Sequence, residues 1–191
     1  MSVLISVKKG DTIYMGADTQ TTVCGRSMNQ KRESNLKIHK YKNGLLLGHV
    51  GNVASGFRIY SCNELFEDID GELTKEYIVT SIVPKIIEIL AKNNLIDDEK
   101  KTMNGTFVIA YKDKAFRIYE DFKVVEGDLF VVGCGEDSSF PYLFEAYNSE
   151  TINVNDVIIQ ALRASAKIKC FVGAPFVFIN TKDLKFNFVK E

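Results

Sequence analysis

The sequence has few of the residues from which disulfide frameworks and metal sites are built. It contains four cysteines, none of them in a C-x-x-C pair: Cys24, Cys62, Cys134 and Cys170. Its only histidines, His39 and His49, do not cluster with them. Zinc sites and disulfide-rich domains need such residues at short, regular spacings. We therefore expect no disulfide framework and no metal site, a reducing cytoplasmic location, and cysteines that serve as small buried hydrophobic residues.

Long apolar runs and an excess of one charge are also missing. No stretch approaches the ~18 consecutive apolar residues of a membrane span. The first ten residues lack the basic leader and apolar run of a secretory signal. Lys and Arg number 24 and Asp and Glu number 25, so no basic surface for nucleic acid is indicated. We expect neither a membrane nor a nucleic-acid partner.

The chain does contain enough apolar residues for a large core. Of its 191 residues, 46% are hydrophobic, and no repeat, low-complexity run or Pro/Gly-rich linker divides them. Such a composition is typical of a folded globular protein and argues against disorder. The length lies within the ~100–200 residues common for one domain, so we predict a single domain over residues 1–191.

Short apolar segments separated by turn residues predict a largely antiparallel set of strands. Gly10 and the Asn43-Gly44 pair supply two tight hairpin turns. Residues 18–35 are polar and are interpreted as a long loop or irregular strand. The predicted strands cover residues 3–7, 12–17, 36–41, 45–50, 106–111, 115–119, 122–126, 129–133, 175–181 and 185–189.

Helical spacing of apolar residues predicts two pairs of helices. They cover residues 53–66, 74–94, 139–147 and 153–169, and Pro84 is expected to kink the second. An outer-layer helix of an isolated sandwich would normally be polar on its exposed side, whereas the second predicted helix carries a continuous apolar stripe: Ile78, Ile82, Ile86, Ile89 and Leu90. Because the helices come in pairs between groups of hairpins, the order favours an α+β fold, a four-layer αββα sandwich.

The N-terminus is a candidate nucleophile. Methionine is usually trimmed before a small residue, and Ser2 is small. A free N-terminal serine carries a hydroxyl nucleophile and its own base, because an α-amine has a pKa of ~7.7–8.0. A Met-Ser start is common, however, and an unremarkable N-terminus is the alternative.

Three further residues have chemistry that suits such a nucleophile. Asp18 ends a predicted strand and Lys37 begins another, so the carboxylate could hold the lysine charged, and the cation could lower the pKa values of hydroxyl and amine. Gly51 precedes a predicted helix, where backbone N–H groups suit an oxyanion. The alternatives are a turn aspartate, a solvated lysine and a glycine in a tight turn.

The residues from Ser2 to Leu65 resemble the first third of a proteasome β subunit. The likeness is especially close to the HslV-like bacterial ring protease subunit that works with an AAA+ unfoldase. The features that carry it are the strand 3–7 with its Lys-Gly turn, the segments 16–21 and 37–38, the strand 45–48, and the segment 50–54 that opens a helix.

The resemblance implies a role for each candidate. The family's nucleophilic threonine falls on Ser2, its catalytic aspartate on Asp18, its catalytic lysine on Lys37, and its oxyanion-hole glycine on Gly51. The family also assembles into rings, which implies a homo-oligomer and an AAA+ ATPase as a possible partner. On this basis we interpret the apolar stripe of the helix predicted over residues 74–94 as a contact with neighbouring subunits.

The second half of the chain departs from the family pattern. Residues 131–135 resemble the family's Gly-Ser-Gly segment, where the serine hydroxyl supports the nucleophile's amine, but Cys134 stands in its place. A thiol is a weaker hydrogen-bonding group than a hydroxyl. Residues 168–174 lack the second Asp and Ser that many active β subunits carry.

Together these features predict a proteasome-like peptidase that hydrolyses peptide bonds in peptides or unfolded proteins through an ester on Ser2. Two alternatives remain. The departures in the second half favour a catalytically silent structural subunit, and retention of Met1 would favour it further. A small-molecule amidase or acyl transferase of the wider superfamily is the other, which a narrow pocket would favour.

Overall fold

Two five-stranded sheets form the centre of the protein. The computed structural model describes residues 2–23, 26–27, 36–67, 69, 71–147 and 153–190. Its strands are β1 Val3–Lys9, β2 Thr12–Asp18, β3 Thr22–Val23, β4 Arg26–Ser27, β5 Ile38–Lys40, β6 Leu46–Gly51, β7 Ile96–Asp97, β8 Thr102–Met103, β9 Gly105–Tyr111, β10 Lys114–Ile118, β11 Val124–Glu126, β12 Leu129–Gly133, β13 Phe176–Asn180 and β14 Asn187–Val189.

Helices cover the outer faces of the two sheets. They are α1 Val53–Tyr60, α2 Glu64–Glu67, α3 Lys75–Tyr77, α4 Val83–Lys92, α5 Glu136–Tyr147 and α6 Val154–Ile168. A π-helical turn, Ile78–Ile82, joins α3 to α4. Helices α5 and α6 contact the sheet of β1, β2 and β12, while α1 lies against β6 of the other sheet.

Every strand pair in the two sheets is antiparallel. The first sheet has the order β12-β1-β2-β13-β14, and the second has the order β11-β10-β9-β6-β5. Alternation along the strands gives each sheet two apolar faces. In β9, Phe107 and Ile109 face the helices, whereas Val108 and Ala110 face the other sheet. The fold is therefore an αββα sandwich with three apolar interfaces, as the sequence predicts.

The apolar stripe of the second helical segment lies inside this sandwich. Ile78, Ile86 and Leu90 have no exposed surface, and Ile82 retains 1%. The stripe packs on the protein's own second sheet. Our interpretation of it as a contact between subunits is therefore wrong, because a helix in an outer layer needs such a stripe to join its own core.

Proline 84 changes the helix in a different way from a simple kink. Its ring has no N–H group to donate to the preceding turn. In the structure the turn just before it widens, and the backbone N–H of Val83 donates to the carbonyl of Ile78, five residues back. A π turn of this kind absorbs a lost α-helical hydrogen bond without ending the helix.

Other predictions are corrected in detail. The single helix predicted over residues 53–66 is two helices, α1 and α2, separated at residues 61–63. The hairpin of β7 and β8 was not predicted. Cys170 is exposed and Cys62 and Cys134 are only partly buried, so the expectation of buried cysteines is wrong for these three. Cys24 and most of the predicted 18–35 loop lie outside the described residues.

Candidate active site

The ends of three neighbouring strands meet beside Ser2. It precedes β1, which lies between β12 and β2. The register places Val3 opposite Gly133, and Leu4 opposite Ala17, so Asp18 lies at the same end of the sheet. Ser2 itself is 94% buried, with 6% of its surface exposed. Interior strands hold this residue, so its backbone has little freedom to move.

Asp18 is a fully buried carboxylate with three donors. Its Oδ1 accepts from the backbone N–H of Val3 at 2.9 Å and from Lys37 Nζ at 2.6 Å. Its Oδ2 accepts from the backbone N–H of Gln20 at 3.2 Å. Buried carboxylates require such partners, since an unpaired buried charge is costly. One carboxylate thus links the residue that follows Ser2 to the lysine.

Lys37 lies directly before β5, and its ammonium is almost enclosed. Besides Asp18, it donates to the carbonyl of Gln20 at 2.9 Å. Burial lowers the pKa of Lys37 from its ordinary value of 10.5, whereas Asp18 and Cys134 act in the opposite direction. Two oxygen acceptors at hydrogen-bonding distance suit the ammonium form, so the geometry favours a buried cation beside Ser2.

Gly51 ends β6 at a point where no other residue fits. Its φ of +137° lies in the region that favours glycine. A Cβ there would strike the backbone of Gly105, its partner on β9, and of Asn104. After it, Asn52 caps helix α1 by accepting from the Ala54 N–H at 2.9 Å. The glycine allows the strand to turn into the helix next to Ser2.

A small cavity of about 70 Å³ opens beside Ser2. Its wall includes Lys37, and none of the described residues that line it is a carboxylate. The lining residues are Ser2, Gln20, Thr21, Thr22, Leu36, Lys37, His49, Gly51, Val53, Gly56, Phe57 and Tyr60. The described part of the wall, with the Lys37 ammonium in it, suits small or uncharged side chains better than cationic ones.

His49 lies in the wall of this cavity as a buried neutral imidazole. It retains 6% exposure, and its ring lies so close to Gly56 and Gly105 that a Cβ on either glycine would clash with it. Burial and the nearby Lys37 lower the pKa of His49 to about 3. Its Nε2 is buried and has no hydrogen-bond partner among the described residues.

The opposite side of Ser2 is formed by the segment after β12. Gly133 has a φ of +101°, and a Cβ there would strike the Ser2 carbonyl. Cys134 is partly buried and lies close enough to Lys37 to influence its pKa. Beyond Cys134, a Cβ on Gly135 would lie within 3.0 Å of Val3 and of Ser165 Oγ. Backbone contact therefore brings this segment against Ser2 and Val3.

Two buried serine hydroxyls bind the Gly135 carbonyl, and a third buried serine binds one of them. Ser165 and Ser138 hydroxyls lie 3.1 Å and 3.0 Å from it, and 2.8 Å from each other. Ser139 lies 2.5 Å from the Ser165 hydroxyl and 3.2 Å from the Ala161 carbonyl. These contacts join the start of α5 and the last turns of α6 to the segment that carries Cys134.

The five residues singled out in the sequence come together in part. Hydrogen bonds link Asp18 and Lys37, while Ser2, Lys37 and Gly51 share the cavity wall. Cys134 approaches from the other side. Their catalytic roles stay predictions. The segment 168–174, which lacks the family's Asp and Ser, also reaches the site, because Gln20 Nε2 donates to the Cys170 carbonyl at 2.9 Å.

Sequence reasoning gave no role to Gln20, His49 and Tyr60. Gln20 bonds to Asp18, Lys37 and Cys170 by its N–H, carbonyl and side chain respectively. No sequence pattern marks these residues, because their partners are distant along the chain or involve backbone atoms. Among the described residues, no group of three or more His, Cys, Asp or Glu side chains could hold a metal ion. None of the described helices is long and apolar enough to cross a membrane.

Comparison with known proteins establishes the fold. No protein-family model matches the chain. BPH from Thiobacillus denitrificans, solved in complex with epoxomicin, is similar with a TM-score of 0.76 at 17% identity, covering 96% of this chain and 99% of that chain. HslV from Trypanosoma brucei gives 0.68 at 15% identity, covering 93% and 98%. Anbu from Pseudomonas aeruginosa, described as a helical assembly, gives 0.75 at 12% identity, covering 99% and 87%. The chain therefore has the proteasome-type αββα fold of N-terminal-nucleophile hydrolases.

Proposed function

We propose that the chain is a proteasome-like peptidase that cleaves peptide bonds with Ser2 after removal of Met1. One observation carries the proposal: the buried Asp18 carboxylate binds both the Val3 N–H, one residue from the nucleophile, and the Lys37 ammonium. Removing an ion pair from water is costly, so buried ion pairs often occur where charge develops during a reaction. This pair lies next to Ser2, in the wall of a cavity.

In the proposed reaction Ser2 Oγ attacks the carbonyl carbon of the scissile bond. The α-amine of Ser2 takes the hydroxyl proton, and the Gly51 N–H receives the negative charge on the carbonyl oxygen. The C–N bond then breaks, and the ammonium returns the proton to the leaving amine. Water hydrolyses the resulting ester by the same route, which regenerates Ser2. No cofactor enters these steps.

The charged neighbours have separate roles in this scheme. Lys37 lowers the pKa values of the Ser2 hydroxyl and amine through its charge, and Asp18 keeps Lys37 in place. Cys134 takes the position from which a hydroxyl would support the amine. Because a thiol is a poorer hydrogen-bonding group, we assign it the weakest contribution of the five residues.

The proposal is tested by mass spectrometry of the N-terminus. The intact mass first shows whether Met1 has been removed. The protein is then treated with epoxomicin, the compound bound to BPH, because an epoxyketone closes a ring across a hydroxyl and an α-amine on one residue. We expect the adduct on the N-terminal peptide at Ser2, together with hydrolysis of peptide substrates.

Two variants serve as controls for this test. Ser2→Ala removes the nucleophile and is expected to abolish labelling while the protein remains folded. Ser2→Thr presents the same two groups with a stiffer rotamer and is expected to remain active. Protein that lacks Met1 but stays unlabelled and hydrolyses no peptide, amide or acyl substrate would support a silent structural subunit instead.

The small cavity favours one second candidate, a small-molecule amidase or acyl transferase. A volume of about 70 Å³ next to Ser2 suits a single short acyl group. A peptide library and a panel of short acyl amides, given to the same preparation, separate the two activities. Turnover confined to one acyl group would favour the amidase.

We also propose a homo-oligomer of more than two subunits, with an AAA+ ATPase as a candidate partner. The similar Anbu protein is described as a helical assembly. Helix α5 exposes four aromatic side chains that a neighbouring subunit could cover: Phe140, Tyr142, Phe144 and Tyr147. Light scattering at micromolar concentration tests the assembly, and a monomer alone would contradict it.

A further inference from the structure

The backbone carbonyl of Lys37 accepts two hydrogen bonds from separate elements. One comes from the backbone N–H of His49 on β6, at 2.9 Å. The other comes from the phenol of Tyr60, the last residue of α1, at 2.8 Å. The side chain of Lys37 is held by Asp18 and the Gln20 carbonyl. Among the described residues, Tyr60 is thus the one whose side chain donates a hydrogen bond to the backbone of Lys37.

Tyr60 is itself held in place by aromatic contacts. Its ring stacks on His39 with centroids 5.3 Å apart and planes 15° from parallel. It meets the His49 ring edge to face at 6.5 Å. Burial raises the pKa of Tyr60 well above its ordinary value of 10.0, so the hydroxyl keeps its proton over the working pH range. The group is therefore a permanent donor in a fixed position.

We propose that Tyr60 is a positioning residue that holds Lys37 in register with Ser2 and joins it to the helix that lines the cavity. This inference rests on the function proposed above. Small displacements of a charged group cost much in rate, because its effect depends on its distance from the reacting atoms. Loss of the phenol hydroxyl lets the Lys37 backbone move while the rest of the cavity wall stays in place.

The same contact links substrate binding to the lysine. Helix α1 contributes Val53, Gly56 and Phe57 to the cavity wall, and its last residue is Tyr60. A side chain that enters the cavity touches this helix. The helix in turn binds the Lys37 carbonyl through Tyr60. A side chain bound in the cavity and the Lys37 ammonium are therefore connected through helix α1. The sequence gives no sign of this link, because Tyr60 and Lys37 are separated by 23 residues.

A pair of matched substitutions tests the inference. Tyr60→Phe removes only the hydroxyl that donates to Lys37. Tyr41→Phe is the control: it removes a buried hydroxyl that lies 3.4 Å from the Ile59 carbonyl of the same helix. The measurement is the rate of covalent labelling of Ser2 by epoxomicin as a function of probe concentration, which separates binding from reaction.

We expect Tyr60→Phe to slow the maximal labelling rate by about three- to tenfold, as for one lost hydrogen bond near reacting atoms. The probe concentration for half-maximal rate should change by less than about twofold, because the cavity wall is retained. Tyr41→Phe should leave both values near those of the wild type. If the role of Tyr60 were purely structural, Tyr60→Phe would lower thermal stability without slowing the maximal labelling rate at an unchanged half-maximal probe concentration.

The pH profile of labelling supplies a second readout. Among the described residues, the charged and titratable groups around Ser2 are Asp18, Lys37, Cys134, His49 and Tyr60. Burial lowers the pKa of His49 and raises that of Tyr60, so both stay neutral and do not produce the acid limb. The Lys37 cation lowers the pKa of the Ser2 amine, and the neutral amine is the form that reacts. A displaced lysine lowers this pKa less. The acid limb of the profile should therefore move to higher pH in Tyr60→Phe and stay in place in Tyr41→Phe.

The outcomes separate this inference from the proposed function. A wild type that is never labelled at Ser2 contradicts the proposed function, and the inference falls with it. A wild type that is labelled, with Tyr60→Phe labelled at the same rate and pH, overturns the inference alone. If Tyr60→Phe does not fold, 4-aminophenylalanine at this position keeps the ring and a weaker donor. Slower labelling of that variant supports the inference, and a wild-type rate overturns it.

Discussion

The two sides of Ser2 are built from different chemistry. On the acid–base side, Asp18, Gln20, Lys37 and His49 bring a buried ion pair and a neutral imidazole to the cavity. On the hydroxyl side, Cys134 is followed by a cluster of Ser138, Ser139 and Ser165. The first side carries an ion pair, whereas the second carries a thiol and hydroxyl groups. We therefore expect most of the reaction rate and its pH dependence to come from the first side, and mainly packing from the second.

Removal of the lysine is expected to have the largest effect. Lys37→Ala should abolish turnover, and retention of more than about a tenth of the activity, a barrier change below ~1.4 kcal/mol, would contradict the assigned role. It also leaves the buried Asp18 carboxylate without its cation, which typically costs about 3–5 kcal/mol of stability. Activity assays and thermal unfolding of the same preparation measure both effects.

A double variant separates the two consequences. Lys37→Met combined with Asp18→Asn removes both charges, so the uncompensated carboxylate is absent and most of the lost stability should return. Activity should stay absent. Recovery of labelling at Ser2 in this double variant would show that the ion pair is structural, and the difference between the two sides would disappear.

The acid–base side should also make stability depend on pH. The pKa of His49 is about 3 in the folded protein, against an ordinary value of 6.5. Between these values the unfolded chain binds a proton that the folded chain does not, so the free energy of unfolding falls as the pH is lowered. The expected loss is about 2 kcal/mol between pH 7 and pH 5.

Denaturant unfolding across this pH range, in wild type and His49→Gln, measures the contribution. The variant should lose most of the slope but keep a smaller one, because burial also lowers the pKa of His39. Equal slopes in the two proteins would mean that His49 titrates normally in the folded state.

On the hydroxyl side we expect an effect on stability and little on pH dependence. Ser165→Ala removes the group that joins Ser138, Ser139 and the Gly135 carbonyl, at a cost of about 1–2 kcal/mol. Ser55→Ala is the matched control, since Ser55 is equally buried but its Oγ has no hydrogen-bond partner among the described residues. It should be close to neutral in thermal unfolding. If Ser55→Ala lowered the stability as much as Ser165→Ala, the hydrogen bonds of the cluster would make no special contribution to stability.

The smallest effect is expected at Cys134. Cys134→Ser introduces a better hydrogen-bonding hydroxyl at the position proposed to support the amine, and should raise the rate of Ser2 labelling by about threefold or less. Labelling kinetics against wild type measure this directly. A loss of tenfold or more would place the thiol among the essential groups and would make the two sides of Ser2 alike in importance.

The fold could be predicted well because its signals are local. Hairpin turns at Gly10 and Asn43-Gly44 and the change from strand to helix spacing after Gly51 indicate the order of the elements. Two kinds of feature escaped. The hairpin of β7 and β8 has strands of only two residues each, too short for a pattern. The break between α1 and α2 has no Pro or Gly to mark it.

The candidate site could be predicted only where a residue's own chemistry is unusual for its position. Ser2, Asp18, Lys37 and Gly51 have such chemistry, and a family pattern orders them. The other contributors act through contacts that a sequence does not display. Gln20 contributes mainly backbone atoms, and Tyr60 donates to a carbonyl that every residue carries.

The sequence by itself determined the elements and the antiparallel layers, because turn geometry and apolar periodicity depend on near neighbours. It also supplied the candidates for the reactive groups. The tertiary structure alone decided which side chains are buried away from water. Burial leaves His49 neutral, encloses the Lys37–Asp18 pair, and turns the apolar stripe of residues 78–90 into a core surface. These outcomes depend on which distant parts of the chain pack against each residue, because that packing sets how far each group is desolvated and therefore how far its pKa shifts.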